Sequence, residues 1–497
     1  MKDRRLMLSR METLWHPRRV AMVGATNSMS KWGFIIFTRM LGEQFTGEIF
    51  PVNPRDEYVV GKKAYKSIAD VPGAIDVAVV VTPAATVPGV LRELAQKKVP
   101  AAIVITSGFS ETGPEGAAVE REMVEFARKA GMVLVGPNTM GTYSAGVRLN
   151  CLMAPVSPLA GRAACIAQSG NVGTHMLFRG RLRGLGFGKF VSSGNEGDLS
   201  LEDYLWYFGQ DDETSAVLGY LEGLDPDSDF MRIAPEVTKK KPVILYKGGR
   251  TAAGASAAAS HTGALAGDAA VFRSAMRQAG VIVAESNKEV VELARAMELS
   301  PVPKGPRVGI LTRGGGWGVI TSDACVEAGL EVPRLSDDTM AKLDKLLPAY
   351  WSRGNPVDMV AVLSNQAYLD CLDLVVKDPN VDAVIGLGAN IDAQTNTTLE
   401  TLRDQGAMDA DKLRAIEEKS QTEGDEFVKA LRDYLTNSPK PILSVGRWRE
   451  TPDWESGLMM IGEPEDAARM MAKMAEYGRY LAGSSGKEDR PPRRQER

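Results

Sequence analysis

His261 is one of three histidines in a chain of 497 residues. It sits in Ala259-Ser260-His261-Thr262-Gly263-Ala264-Leu265-Ala266-Gly267, shortly after Lys247-Gly248-Gly249-Arg250. Such small residues give an imidazole little bulk to pack against and predict mobile backbone, so a ring nitrogen can be presented to a reacting group. A surface histidine in a small-residue loop is the plainer alternative. Two further stretches bear on the choice: Gln168-Ser169-Gly170-Asn171 and Thr312-Arg313-Gly314-Gly315-Gly316. Each follows an apolar strand and opens a helix. A helix N-terminus at a glycine turn offers unpaired N–H groups and a partial positive charge, and so holds phosphate without lysine. Either stretch alone can mark nothing but tight packing. Together, Ser169, Gly170 and Asn171 with Gly314, Gly315 and Gly316 would grip a phosphoryl group carried on His261 from two sides. A phosphohistidine also needs its other ring nitrogen oriented, which a carboxylate accepting its hydrogen bond would do. Glu222, at a strand end, is the candidate; an ordinary acidic turn residue is the equal alternative. His175, four positions beyond Asn171, reads as a packed helix histidine, and His16 beside Pro17 as structural.

The elements that must position these groups follow one plan. The first 150 residues alternate apolar runs, Arg19-Val20-Ala21-Met22-Val23, Ile75 to Val81 and Ala102 to Ile105, with helical stretches. Continuous apolar strands separated by helices predict a parallel sheet covered on both faces, a doubly wound α/β domain. Ligands collect at the carboxyl ends of such strands. Those ends carry Gly24-Ala25-Thr26-Asn27, Val52-Asn53-Pro54, Thr82-Pro83-Ala84, Thr106-Ser107-Gly108-Phe109 and Gly136-Pro137-Asn138. Five such ends in succession favour a nucleotide-like ligand over turn chemistry alone. The plan repeats after Pro155 to Pro158, with strands Ala163 to Ala167, Ala216 to Leu221 and Pro242 to Tyr246. A Pro-rich link from Ser300 to Pro306 marks a third start at Arg307 to Thr312. The expected domains are 1–150, 151–300 and 301–482. The polar stretch from Gln394 to Asp425 reads as an exposed helix or mobile loop. Residues 483–497 lack the composition to build a core and are expected to be disordered.

Composition removes several classes of function. With 59 basic against 63 acidic residues the net charge is -4, so no broad basic field favours nucleic acid or an anionic membrane. The N-terminal stretch has neither a signal core nor a bilayer-spanning run, and a cytoplasmic protein is expected. Cys151, Cys165, Cys325 and Cys371 show no close pairing, which speaks against a zinc site or disulfide framework and for reduced, buried thiols. No metal ligand set is expected.

Taken with Ser193-Gly194-Asn195-Glu196-Gly197-Asp198 and Ser260-His261-Thr262-Gly263, the strand-end motifs resemble those of the NDP-forming acyl-CoA synthetases. These are the ADP-forming acetate–CoA ligase type, relatives of succinyl-CoA synthetase. The resemblance spans about residues 12 to 480 in the family's order. It implies a Rossmann-like CoA-binding domain followed by two flavodoxin-like domains. By position it assigns CoA binding to Gly24, Thr26, Lys31, Asn53, Pro54, Thr82, Pro83, Ser107, Gly108 and Asn138. It makes His261 the phosphorylated residue, Glu222 its supporting carboxylate, and the two glycine turns the phosphate-holding helix starts. Asn355-Pro356-Val357-Asp358 also fits, as a shaping loop. The family needs an ATP-grasp unit, and no segment of this chain reads as one. The resemblance therefore implies an α-type subunit whose β-type partner binds ATP or ADP with Mg²⁺, in an α2β2 assembly. Asn171-Val172-Gly173 and Trp317 depart from the family pattern.

Two other readings compete. A CoA-binding regulatory or scaffold protein without turnover would have no need of His261, Glu222 and both glycine turns. An NAD-dependent dehydrogenase would carry GxGxxG after the first strand, where this chain has Gly24-Ala25-Thr26-Asn27-Ser28-Met29.

Overall fold

The computed structural model describes residues 4–224, 228–254, 256, 269–360, 362, 364–388, 398–399, 401–406, 408–446 and 457–488. Three sheets organise them. The first comprises β1 (Arg19–Val23), β2 (Glu48–Val52), β5 (Val77–Val80), β6 (Ala101–Val104) and β7 (Val133–Val135) in the order β2-β1-β5-β6-β7, all parallel. A small antiparallel hairpin, β3 (Tyr58–Val59) with β4 (Lys62–Lys63), stands apart. Every residue of β5 and β6 is buried, as a strand covered on both faces requires. The covering helices carry the matching spacing. Helix Val87–Gln96 has proline in its first turn and buries Val87, Leu91 and Leu94, one apolar stripe at intervals of four and three.

The second sheet contains β8 (Thr142–Ser144), β9 (Leu149–Asn150), β10 (Ala160–Ala167), β11 (Phe187–Ser192), β12 (Ala216–Leu221), β13 (Val243–Lys247) and β14 (Ile282–Ala284). Its order is β14-β13-β12-β10-β11-β8-β9, with β8 and β9 antiparallel at the edge. This hairpin belongs to the second sheet. Thr142 and Ser144 pair with β11 in the second sheet and are buried, and the Ser144 hydroxyl donates to the Trp15 carbonyl at 2.7 Å. Trp15 in turn packs on Phe208 of helix Leu201–Gln210, ring centroids 5.4 Å apart. The first two sheets accordingly share one continuous core and form a single compact unit, residues 1–181 with 185–294.

A second unit, residues 295–497 with 182–184, holds the third sheet. Its strands are β15 (Val308–Thr312), β16 (Val357–Asp358), β17 (Ala383–Leu387), β18 (Ile442–Val445) and β19 (Met460–Ile461), in the parallel order β16-β15-β17-β18-β19. The polar stretch expected as helix or loop contributes to a long helix, Ala410–Asn437, which buries Leu413, Gly424, Phe427 and Leu431. The last helix, Pro464–Glu488, runs past the expected domain end at 482. Its stripe of Ala467, Met471, Met474 and Ala475 is buried, and the helix continues from 483 to 488 into sequence read as tail. Residues 489–497 lie outside the described residues.

Candidate active site

Strand order alone locates three crevices. In each sheet the strand after the first lies on one side of it and the following strand on the other, so successive connections leave in opposite directions. Such a switch point opens a crevice at the carboxyl ends of the first and third strands of the run. The crevices fall between β1 and β5, between β10 and β12, and between β15 and β17. The loops singled out by residue type are the loops that flank them.

At the β1/β5 crevice Gly24 has φ +94°, and a Cβ there would lie 2.1 Å from the Val81 carbonyl oxygen. Gly33, in the first turn of helix Trp32–Gly42, would meet the Gly24 oxygen at the same distance. The glycines thus allow strand end and helix start to close on each other. Thr26 accepts the Ser28 N–H at 3.3 Å, and Lys31 is the exposed residue that precedes the helix. Asn53 is anchored within the protein: it donates to the Ala25 carbonyl at 2.8 Å and accepts the N–H groups of Arg55 and Asp56, which leaves Pro54 exposed. Thr106 ties its hydroxyl to the Thr82 carbonyl at 2.7 Å, whereas the buried Thr82 Oγ1 has no partner among the described residues. An orphaned hydroxyl beside exposed Pro83, Ser107 and Gly108 is what a polar ligand would satisfy. Asn138, exposed and at φ +58°, completes this edge. The parallel strands therefore bring all ten residues to one rim.

The β10/β12 crevice holds Gln168, Ser169 and Gly170 on one side and Glu222 on the other. Helix Gly170–Arg183 has no acid in its first turn, so its N-terminal field is unopposed. Glycine is required at 170 for packing as well, since a Cβ would lie 1.7 Å from Met140 Cγ. Ser192 Oγ, 3.0 Å from that Cβ position, is buried without a partner among the described residues. Asn171 is exposed. Glu222 follows β12 and is 7% exposed. The Gln168 amide fixes its backbone: Oε1 accepts the Glu222 N–H at 2.6 Å and the Gly223 N–H at 3.3 Å, while Nε2 donates to the Gly223 carbonyl at 3.1 Å. The Tyr220 hydroxyl approaches Glu222 Oε1 at 3.4 Å. Across the register pair Leu221 and Lys247, the Lys247 ammonium donates to the carbonyls of Glu222 at 2.6 Å and Gly248 at 2.7 Å. Burial holds the Lys247 pKa below the ordinary lysine range, with Glu222 pulling it back up. A cation and a carboxylate thus meet at the base of the segment that leads to His261, which itself lies outside the described residues.

The β15/β17 crevice belongs to the second unit. Helix Gly315–Glu327 starts at Gly314, again without an acid in its first turn. A Cβ at Gly316 would meet nothing within 4 Å, whereas at Gly315 it would meet Asp358 Oδ2 at 2.9 Å. Asn355 accepts the Ile310 N–H and donates to the carbonyls of Val308 and Pro333, each at 2.9 Å, so the Asn355–Asp358 stretch braces the strand below the glycines. Arg313 lies over the Tyr368 ring, 5.1 Å from its centroid. Trp317 is exposed on the first helical turn.

Two histidine readings meet the structure differently. His175 is exposed rather than packed, because Thr174, Met176 and Leu177 take the inward positions of its helix; its Nδ1 sits 3.0 Å from Asn287 Nδ2. His16 lies within 3.8 Å of Glu12 and 3.7 Å of Glu213. All four cysteines are buried and free. Among the described residues no cluster of metal-ligating side chains occurs, and no helix is long and apolar enough to cross a membrane. Residue-type reasoning missed Gln168 and Lys247 as neighbours of Glu222. The only local signal for them is their place at strand ends.

Residues 18–145 match a CoA binding domain, 160–297 a succinyl-CoA ligase like flavodoxin domain and 308–400 a ligase-CoA domain. The alpha subunit of the ADP-forming acetate–CoA ligase II of Pyrococcus furiosus is 40% identical over 377 residues, 76% of this chain and 82% of that one. The ADP-forming acetate–CoA ligase I of Archaeoglobus fulgidus is 38% identical over 76% of this chain, which spans 54% of that protein's length. The structure of the acetyl-coenzyme A synthetase 1 of Ca. Korarchaeum cryptofilum, in complex with phosphate and ADP, superimposes with a TM-score of 0.82 at 31% identity, covering 95% of this chain and 98% of that one. The fold and its matched domains define an acid–thiol ligase. More particularly, the chain belongs to the ADP-forming acyl-CoA synthetases of the acetate–CoA ligase type.

Proposed function

We propose that this chain is the α-type subunit of an ADP-forming acyl-CoA synthetase that interconverts carboxylic acid, CoA and ATP with acyl-CoA, ADP and phosphate through a phosphohistidine at His261. In the synthetic direction the His261 imidazole takes the γ-phosphoryl group of ATP and releases ADP. A substrate carboxylate oxygen then attacks phosphorus, the N–P bond breaks, and an acyl phosphate forms. The CoA thiolate attacks the acyl carbon and expels inorganic phosphate. Glu222 accepts the hydrogen bond from the imidazole nitrogen not in reaction and stabilises its cationic form. The N–H groups at Ser169, Gly170 and Asn171 and at Gly314, Gly315 and Gly316 carry the phosphoryl charge, the main contribution expected of the protein. CoA lies along the β1/β5 rim at Gly24, Thr26, Lys31, Asn53, Pro54, Thr82, Pro83, Ser107, Gly108 and Asn138. Nucleotide and Mg²⁺ bind a separate ATP-grasp β-type subunit in an α2β2 assembly, and the His261 segment travels between the two sites.

The observation that carries this reading is the convergence at the β10/β12 crevice. A buried carboxylate, an acid-free helix start and the root of the His261 segment meet at the switch point of a succinyl-CoA ligase-like domain. The test is intact-mass and acid-labile phosphate analysis of the chain with its β-type partner, ATP and Mg²⁺, beside His261→Ala. One base-stable, acid-labile phosphate per chain, absent from the variant, is the expected result. No label with a partner that binds ATP would leave a CoA-binding protein without turnover.

A further inference from the structure

Arg313, at the end of β15, lies in the β15/β17 crevice and is held from stem to head. Gly388, at φ +82° just past β17, sits so close to the stem that a Cβ there would meet Arg313 Cβ at 3.1 Å, Cγ at 3.3 Å and Cδ at 3.5 Å. The guanidinium carbon is 5.1 Å from the ring centroid of Tyr368, on helix Asn365–Lys377. Nη2 donates to the Ser364 carbonyl at 3.2 Å and to Asn365 Oδ1 at 3.4 Å. The rest of the fork is unused. Among the described residues Nη1 makes no hydrogen bond, Nε is buried without a partner, and no carboxylate pairs with the side chain. Burial lowers the Arg313 pKa from the ordinary arginine value, and Tyr368 rather than a carboxylate works against that shift. Polar groups withdrawn from water are nearly always paired, so a fixed, partly buried cation without a counter-ion marks a place for an anion.

The surroundings of the guanidinium point the same way. Helices Gly315–Glu327 and Asn365–Lys377 both start beside Arg313 with no acid in the first turn, so two positive helix ends and a full positive charge converge on one crevice. The opposing charge is Asp358. Its Oδ2 would lie 2.9 Å from a Cβ at Gly315, its Oδ1 accepts the Val360 N–H at 2.9 Å, and it forms no ion pair with Arg313. A phosphate seated at Gly314, Gly315 and Gly316 meets that carboxylate, against which backbone N–H groups set only partial charges. We infer that Arg313 binds the phosphoryl oxygens at this helix start, supplying through Nη1 the full positive charge that the glycine turn lacks. The inference rests on the reading of Gly314, Gly315 and Gly316 as a phosphate-holding turn. A guanidinium already stacked on Tyr368 and pinned at Nη2 loses little freedom when the anion arrives, and a charge-assisted bond to phosphate is roughly twice as strong as a neutral one.

The experiment runs the full chain with its β-type partner in the ATP-forming direction, from acyl-CoA, ADP and inorganic phosphate, for wild type, Arg313→Met, Arg313→Lys and Arg313→Ala. Arg313→Met is expected to raise KM for phosphate by about 10- to 100-fold, with KM for acyl-CoA and for ADP changed by less than about threefold. Arg313→Lys keeps the charge without the planar fork and should raise KM for phosphate by only about fivefold. Added guanidinium should restore turnover to Arg313→Ala at low phosphate, a rescue that a purely structural arginine would not show. Wild-type KM for phosphate in Arg313→Met, or a rise shared equally with acyl-CoA and ADP, would overturn the inference. So would a loss confined to KM for the carboxylic acid in the synthetic direction, which would give the fork to that acid instead. If Arg313→Met fails to fold, Arg313→Lys decides, and an unchanged KM for phosphate there refutes the inference. Absence of both turnover and His261 label in the wild-type chain would instead sink the phosphohistidine reading.

Discussion

Gly316→Ala separates ligand chemistry from packing at the third sheet. A Cβ at this position would meet nothing within 4 Å, and the backbone has no left-handed φ, so no packing demand keeps glycine in the first turn of helix Gly315–Glu327. Alanine is the better helix former by up to about 1 kcal/mol, less at a helix end, and the second unit should gain up to roughly 2–4 °C in melting temperature. If the exposed N–H groups there cradle a phosphoryl group, the methyl stands where the anion must approach. Displacement by about 1 Å is expected to lower acyl-CoA formation by on the order of 10²-fold. Thermal unfolding and turnover measured on one preparation test the reasoning. A variant of unchanged or raised stability and reduced activity is the expected pair. Full turnover at raised stability would refute the assignment of Gly314, Gly315 and Gly316 to phosphate, since glycine would then serve neither packing nor ligand.

Gly24→Ala should do the opposite, destabilising the first unit by about 2–4 kcal/mol, because positive φ adds to a clash with the Val81 backbone; urea unfolding with an unaltered midpoint would contradict it. Glu196 links stability to pH. Withdrawal from water pushes its carboxyl up to about 7, aided by the charge of Glu202 and opposed by its bonds from Ser193, the Leu201 backbone and Gln168, and the buried Tyr204 hydroxyl lies in the same field. Between the ordinary carboxyl range and pH 7 the unfolded chain is ionised while the folded one keeps its proton. Stability should therefore fall as pH rises across that window, by at most about 3 kcal/mol, and level off above it. Glu196→Gln should flatten this part of the denaturation-against-pH curve, and an unchanged slope would count against the shift. Burial pushes the thiols of Cys151 and Cys325 up to about 12 and that of Cys371 to about 11, so iodoacetamide at pH 8 should add no mass at these positions before unfolding.

Much of the architecture is legible because strands buried on both faces leave uninterrupted apolar runs. Val77–Val80, Ala101–Val104 and Val308–Thr312 are buried at every residue, and nothing polar interrupts them. The hairpin of β8 and β9 is opaque for the converse reason. No apolar run marks Thr142, Ser144 and Asn150 as strand residues, yet pairing within the second sheet and bonds such as that from Ser144 to Trp15 satisfy their polar groups and bury them. His175 shows how one residue of phase reverses a prediction: Thr174 and Met176 on either side of it are buried, while the ring between them faces outward.

The candidate site divides along the same line between what is local and what depends on register. Gly24, Gly170 and Glu222 stand out as residue types at strand ends, and parallel pairing alone is enough to bring such ends to one rim. The partners of Glu222 are not local. Gln168 is 54 residues away and becomes a neighbour because Ala167 pairs with Tyr220; Lys247 is 25 away and becomes one because Leu221 pairs with Lys247. Those registers follow from which apolar residues each strand buries, a property of the whole sheet that no window of sequence contains. The consequence for function is that Glu222 is held through its backbone, by an amide on one side and an ammonium on the other. Substitution at Gln168 should therefore act on the rate through the placement of Glu222, whereas substitution at Lys247 removes in addition a positive charge that interacts with the Glu222 carboxylate.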